Sequence, residues 1–281
     1  MLAAELTPVD WLVLLQHELL LFASLFFLLG TLDELAIDAL YLVGRVRGRI
    51  RTLRIDRFAV EGRAIAGPAA AIIPAWHEDD VIGATMRHLL DAWPQAQLRL
   101  YIGCYANDPA TIGAATRAAR GQSRVRIVVH SARGPTTKAD NLNTIWQAAR
   151  RDELAEGRTL RGIVLHDAED LIHPRELSLF DALIDGHDVV QIPVMPLVRA
   201  TSPLVSGHYA DEFAEQHTIQ LPIRTAMGAG MPLAGTGCAI ARGMLAGIAA
   251  DRGGHPFDAS SLTEDYELGL SIADRGGRRV F

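Results

Sequence analysis

The chain has 281 residues, 49% of them hydrophobic, and a formal charge of -6 at pH 7. That length can bury a substantial core, in one large domain or in a domain with an appendage. The acidic balance argues against a general nucleic-acid binder. The two cysteines, Cys104 and Cys238, offer neither a disulfide framework nor a metal-ligand spacing, and read as buried thiols of a reducing compartment.

The first 63 residues differ in kind from the rest. Leu19 to Leu32 carries no charge, and the apolar character reaches back to Trp11 across His17 and Glu18. About twenty apolar residues span a bilayer. Arg45, Arg47, Arg49, Arg51, Arg54, Arg57 and Arg63 follow this run, whereas only Glu5 and Asp10 precede Trp11. That asymmetry predicts an anchor with the N-terminus outside and the remainder cytoplasmic. The alternative is an interfacial helix running on through Asp33 to Val46. The positive charges lie on the wrong side for a cleaved signal peptide.

From residue 64 onward the pattern predicts one α/β domain. Strands are expected at Ala69 to Ile73, Leu98 to Tyr105, Arg124 to Val129, Arg161 to His166, Val189 to Val194 and Gly237 to Ala241. Between them, a helix capped by Asp79 or Asp80 runs to about Ala92, and Asp108-Pro109 opens one reaching about Arg120. Lys138 to Arg151 places Leu142, Ile145, Trp146 and Ala149 on one face. Pro174 to Ile184 has proline in its first turn. Strands alternating with helices imply βαβ units in a doubly wound, mostly parallel sheet with helices on both faces.

Several familiar signatures are absent. His77-Glu78 lacks the second histidine of a zinc-protease helix, because Val81 stands there. Gly235-Thr236-Gly237 lacks the third glycine of a dinucleotide fingerprint. Neither a triphosphate-binding lysine loop nor a Gly-x-Ser-x-Gly elbow occurs. Two acidic clusters remain. Asp167-Ala168-Glu169-Asp170 follows the apolar run Gly162 to Leu165, where open α/β sheets place their ligand crevice. Thr263-Glu264-Asp265 opens a helical stretch to Arg275, with Ser260, Ser261 and Thr263 as candidate N-caps. One acidic group to hold a metal–diphosphate and another to take a proton is the equipment of a nucleotide-sugar glycosyltransferase.

The segments Ile72-Ile73-Pro74-Ala75-Trp76-His77-Glu78, Lys138-Ala139-Asp140-Asn141-Leu142-Asn143, His166-Asp167-Ala168-Glu169-Asp170 and Thr263-Glu264-Asp265 occur in that order. Together they resemble family 2 inverting glycosyltransferases, over about Pro68 to Phe281. With the N-terminal apolar segment, the arrangement is most similar to the bacteriophage-adsorption protein B group of bacterial membrane glycosyltransferases.

The resemblance implies a GT-A fold, a UDP-sugar donor, Mg2+ or Mn2+, a polysaccharide or sugar acceptor, and a place at the bacterial inner membrane, facing the cytoplasm. A polysaccharide-export partner would fit the same setting. It implies Asp167 and Glu169 as metal and donor ligands and Asp265 as the general base, with Glu264 supporting acceptor or loop geometry. Glu78 and Asp108 would belong to the nucleotide-binding loops, Lys138 would face the diphosphate, and Gly237 would lie on the acceptor-side strand. His166 and His173 are expected to be structural.

Two departures stand out. Glu169 replaces the second aspartate usual in the metal motif. The family's later Gln-x-x-Arg-Trp motif does not occur before Phe281, so the domain reads as C-terminally truncated or as lacking that element. A nucleotidyltransferase, or a degenerate nucleotide-binding or docking module, are the competing readings. The first lacks its glycine-rich loop, and retention of Asp167, Glu169 and Asp265 together opposes the second.

Overall fold

A computed structural model describes residues 7–51 and 64–281. Glu5 and three members of the basic cluster, Arg54, Arg57 and Arg63, lie outside the described residues. The chain divides into two compact units, Met1–Arg51 and Thr52–Phe281.

The first unit is built on one helix, α1 (Pro8–Val46). Thr7 caps it reciprocally: its hydroxyl accepts from the Asp10 amide, and the Asp10 carboxylate accepts from the Thr7 amide at 2.8 Å. The most apolar 18-residue window has a mean hydropathy of 2.1, and none of it is buried in the protein. The helix continues unbroken through Asp33 to Val46. At 1.5 Å per residue it is about 58 Å long, roughly twice a hydrocarbon core, whereas Trp11 to Leu32 alone spans about 33 Å.

The second unit is a seven-stranded sheet in the order β3-β2-β1-β4-β6-β5-β7. Its strands are β1 (Ala69–Pro74), β2 (Leu98–Tyr105), β3 (Val125–His130), β4 (Gly162–Leu165), β5 (Val189–Gln191), β6 (Cys238–Ala241) and β7 (Arg279–Val280). Strand β6 runs antiparallel to both neighbours, and the other pairings are parallel. Helices α2 (Ile82–Ala92), α3 (Pro109–Ala118) and α5 (Glu176–Leu183) cover one face. The other face carries α4 (Lys138–Glu156), α8 (Arg242–Asp251) and α9 (Glu264–Asp274).

Strand β1 explains why its sequence is a continuous apolar run. Ala70 and Ile72 point to the core formed with Leu142, Ile145, Trp146 and Ala149 of α4. Ala69, Ala71 and Ile73 point to the opposite core, with Ile82, Met86 and Leu89 of α2 and Phe180 of α5. A strand buried on both faces has no polar side to alternate, and each large apolar side chain so buried contributes about 1.5–3 kcal/mol. Gly103 of β2 lets α4 approach, because a Cβ there would collide with Asn141 Oδ1. The buried Asn141 side chain donates through Nδ2 to the Gly103 carbonyl at 3.1 Å.

Some boundaries differ from expectation. Neither Asp79 nor Asp80 caps α2; Val81 occupies that position with no side-chain hydrogen bond. Pro174 lies in a turn ahead of α5, which begins at Glu176. Strand β5 ends at Gln191, where the chain leaves the sheet. The sequence pattern left 195–234 unassigned. It contains α6 (Pro203–Glu215), a π-helical turn (Gln216–Gln220) and α7 (Leu221–Ala226).

Candidate functional site

The chain builds β1, β2 and β3 outward in one direction, then returns to place β4 on the other side of β1. Loops leaving the C-terminal ends of β1 and β4 therefore lie side by side at one end of the sheet, the usual ligand position of such sheets. The loop after β1 carries Trp76, His77 and Glu78; the turn after β4 carries Asp167 to Asp170.

The β1 loop is set by Asp108, the N-cap of α3. One carboxylate oxygen accepts from the His77 amide at 2.7 Å and the other from the Thr111 amide at 3.2 Å. His77 takes a left-handed backbone, φ 59°, uncommon for a residue with a side chain. Burial opposes the Asp108 charge, but the hydrogen bonds from Thr111 and His77 outweigh it and lower the pKa. Asp108 thus faces backbone amides. Beside it, the Glu78 amide donates to Thr111 Oγ1 at 2.9 Å. Burial, then the negative charges of Glu169, Asp167 and Asp108, raise the Glu78 pKa.

The β4 turn is anchored from several sides. Thr85 of α2 donates to the Ala168 carbonyl at 2.6 Å. Asp170 Oδ2 accepts from the Asp167 amide at 2.9 Å, lies 2.8 Å from His166 Nδ1, and accepts from the Thr236 hydroxyl. His166 is buried, with Nε2 3.1 Å from Glu176 Oε1. Burial alone would lower the His166 pKa; Asp170 and Glu176 reverse that and raise it to about 9. The turn leaves Glu169 exposed and Asp167 half-buried.

Thr137 caps α4 in a reciprocal capping box with Asp140, which places Lys138 in the first turn. Lys138 Nζ lies 2.5 Å from Asp167 Oδ1 and 3.5 Å from the Gly235 carbonyl. Burial disfavours the ammonium, but Asp167, and then Glu264 and Asp265, hold it protonated. The Asp167 pKa is raised, because burial and the nearby Asp170 and Glu169 outweigh Lys138.

The second acidic cluster starts α9. Thr263 is its N-cap, without a side-chain hydrogen bond; Ser261 Oγ accepts from the Thr263 amide at 3.1 Å. Asp265 is half-buried and Oδ1 accepts from the Tyr266 amide at 2.8 Å. Gly235, with φ +72°, is what allows its approach: a Cβ there would lie 2.5 Å from Asp265 Oδ2 and 3.2 Å from Lys138 Nζ. Glu264 is buried, and burial raises its pKa, with Asp265 and Asp167 adding to the effect against Lys138.

Lys138, Asp167, Glu264 and Asp265 therefore share one electrostatic neighbourhood, with Glu78 coupled to Asp167 and Glu169. Gly237 stands apart from these carboxylates. Its carbonyl accepts from the Ile192 amide and the Gln191 side chain, each at 3.0 Å. Sequence reasoning gave no role to Asp170, Thr236, Glu176 or Gln191. The available signal was a threonine between two glycines and an acidic residue four positions after a histidine, each too common to interpret alone.

Among the described residues no group of three or more His, Cys, Asp and Glu side chains forms a ready metal cage. The two carboxylates of Asp167 and Glu169 are hard oxygen donors, the set Mg2+ or Mn2+ accepts when substrate phosphates and water complete the shell. A cavity of about 630 Å³ lies elsewhere, between α4, the end of β3 and the 252–259 loop; none of the candidate residues lines it.

The chain is 34% identical over 274 residues to bacteriophage adsorption protein B of Escherichia coli strain K12, and to bacteriophage N4 adsorption protein B of Escherichia coli O157:H7. Each alignment covers 96% of this chain and 37% of the relative. The chain thus spans little more than a third of those proteins. A mannosyltransferase from Pyrobaculum calidifontis, solved with GDP-mannose and Mn2+, superimposes with a TM-score of 0.55 at 19% identity. That match covers 87% of this chain and 63% of the other, and the shared architecture is the GT-A fold. Residues 67–281 match the family described as glycosyltransferase like family 2, and the chain belongs to that family.

Proposed function

We propose that residues 64–281 form the catalytic domain of a metal-dependent, inverting glycosyltransferase and that residues 1–63 attach it to the bacterial inner membrane, with the domain facing the cytoplasm. The donor is a UDP-sugar carrying a hexose or N-acetylhexosamine, and the acceptor is a growing envelope or secreted polysaccharide. One observation carries the reading. Lys138 joins the β4 turn to the Gly235 loop that lies against Asp265, so the two acidic clusters meet around one lysine.

In this reading Asp167 and Glu169 hold the cation, whose charge neutralises the leaving diphosphate. Lys138 faces the same diphosphate. Asp265 takes the proton of the acceptor hydroxyl as it attacks the anomeric carbon from the opposite face. Glu264 supports the acceptor side from its buried position, and Asp108 sets the loop that presents Glu78 to the nucleotide. The structurally similar mannosyltransferase was solved with a nucleotide-diphosphate sugar and Mn2+, which supports the donor class. The relatives' names speak of bacteriophage adsorption, a surface event compatible with an exported glycan and an export partner.

The test is release of nucleoside diphosphate from a panel of UDP- and GDP-sugars, with and without Mn2+. UDP released only with metal and a saccharide acceptor supports the reading. A preference for GDP-sugars would overturn the uridine assignment, and no release from any donor would overturn the enzyme.

A further inference from the structure

The third acidic residue of the β4 cluster, Asp170, is held by partners from two separate parts of the chain. One oxygen of Asp170 receives the Asp167 amide, the His166 ring and the Thr236 hydroxyl. The first two belong to its own turn. Thr236 belongs to the loop that enters the antiparallel strand β6, seventy residues downstream of His166. That loop is clamped on its other side by the buried Gln191, whose amide nitrogen donates to the Thr236 and Gly237 carbonyls at 3.0 Å and whose oxygen accepts from the Ala234 amide at 3.1 Å. Between these two clamps sits Gly235, against Asp265 and Lys138.

We propose that Asp170 and Thr236 are positioning residues that lock the Asp167–Glu169 turn to the Gly235 loop, so that donor-side and acceptor-side groups hold one mutual geometry. The physical basis is the concentration of three donors on one carboxylate oxygen. A charged acceptor makes each hydrogen bond stronger than a neutral one would be. The turn cannot shift without breaking the Thr236 bond, and the loop cannot shift without pulling on the turn. His166 completes the lock by holding Asp170 in place while Glu176 of α5 stands 3.1 Å from its other nitrogen. The consequence for catalysis rests on the glycosyltransferase reading; the mechanical coupling does not.

Thr236→Val removes the hydroxyl at nearly constant volume, and Thr236→Ser retains it. The first measurement is amide hydrogen exchange in the full-length chain without ligand or metal. Thr236→Val should speed exchange at the Asp167 amide, in a turn that the substituted residue reaches through Asp170 and the His166 ring; Thr236→Ser should stay near wild type. Unchanged exchange at Asp167 in the valine variant overturns the lock. The second measurement is calorimetric titration with UDP in the presence of Mn2+. Loss of a residue that orients metal ligands costs about 10- to 100-fold in affinity, so the valine variant should fall in that range and serine should recover most of it. If wild type binds no UDP with Mn2+, the donor assignment fails while the exchange result still decides the coupling. If wild type binds and the valine variant binds equally well, the lock has no bearing on the metal turn and the proposal fails. Far-UV circular dichroism and a thermal melt establish that each variant is folded.

Discussion

Lys138 Nζ lies 2.5 Å from Asp167 Oδ1, across the gap between the first turn of α4 and the turn after β4. Both side chains remain about 30% exposed, 31% and 30%, so the pair is accessible to a ligand from the crevice. A bound diphosphate would compete with Asp167 for the lysine, and a divalent cation would compete with the lysine for Asp167. The ion pair is thus an arrangement in which each partner occupies the position that the other's ligand would take.

The first prediction follows from that exchange of partners. Asp167→Asn should weaken Mn2+-dependent UDP binding by at least about 10-fold, since even residues that only orient metal ligands cost that much. Binding without metal should change far less. Glu169→Asp keeps the charge and shortens the reach, so its loss should be the smaller of the two. Calorimetry with and without Mn2+ checks both; an Asp167→Asn variant with undiminished metal-dependent affinity removes that residue from the proposed metal site.

The second prediction concerns acid stability. The folded Asp108 pKa lies below its ordinary value because hydrogen bonds from Thr111 and His77 favour the carboxylate over the burial that opposes it. A lowered folded pKa contributes stability that is fully present above the unfolded value, about 3.9, and is lost as pH falls through the folded value. Asp108→Asn should therefore be less stable than wild type at pH 7, with the gap narrowing as pH drops below about 4. Denaturant midpoints measured across that interval check the sign. A gap that stays constant with pH would show that the carboxylate charge contributes nothing to holding His77.

Much of the fold was legible because the chain's local signals agree with its tertiary environment. Strand β2 lies where the apolar run Leu98 to Tyr105 predicts, and Asp108-Pro109 starts α3 as their capping chemistry requires. The stretch 195–215 was illegible for a physical reason. Its helix α6 buries none of its residues, so no core-facing stripe disciplines the sequence. The same contrast holds in the candidate site. Lys138, Asp167 and Asp265 announce themselves as charges at element ends, where chemistry and local structure coincide. The partnership of Asp170 with Thr236 spans 66 residues, and no local pattern encodes a contact of that separation.

The third prediction concerns the membrane. Helix α1 presents Leu12, Phe22, Phe27 and Leu28 to its surroundings without cover from the chain, and arginines follow its end. A reporter fused after Arg63 should give a cytoplasmic signal, and deletion of the residues before Arg45 should release the protein from membranes. Recovery of the intact chain in the soluble fraction after mild lysis would contradict the anchor.

The fourth prediction tests the close approach at Gly235. Its φ of +72° already disfavours a side chain, and a Cβ there would meet Asp265 Oδ2 at 2.5 Å. Gly235→Ala should displace Asp265 and lower turnover, while leaving UDP affinity closer to wild type than Asp167→Asn does. Steady-state kinetics beside a UDP titration separate the two effects. Equal losses in both would place Gly235 on the donor side instead.

The last prediction concerns the base. Asp265→Asn is nearly isosteric, and its Oδ1 contact is to the neighbouring Tyr266 amide, which an asparagine oxygen can still accept. The fold should therefore persist. Removing the proton acceptor should cut transfer to a saccharide by at least about 100-fold, the lower end of a general base's usual contribution. The loss should appear in kcat with little change in UDP-sugar binding, because the group acts in the transition state rather than in the ground state. Glu264 is the neighbouring competitor: it is buried and its pKa is raised, first by burial, and raised carboxyl pKa values recur at catalytic bases. Glu264→Gln run in parallel decides between them. If Asp265→Asn transfers sugar near the wild-type rate while Glu264→Gln collapses, the proton goes to Glu264, and Asp265 serves as the charge that helps keep Lys138 protonated.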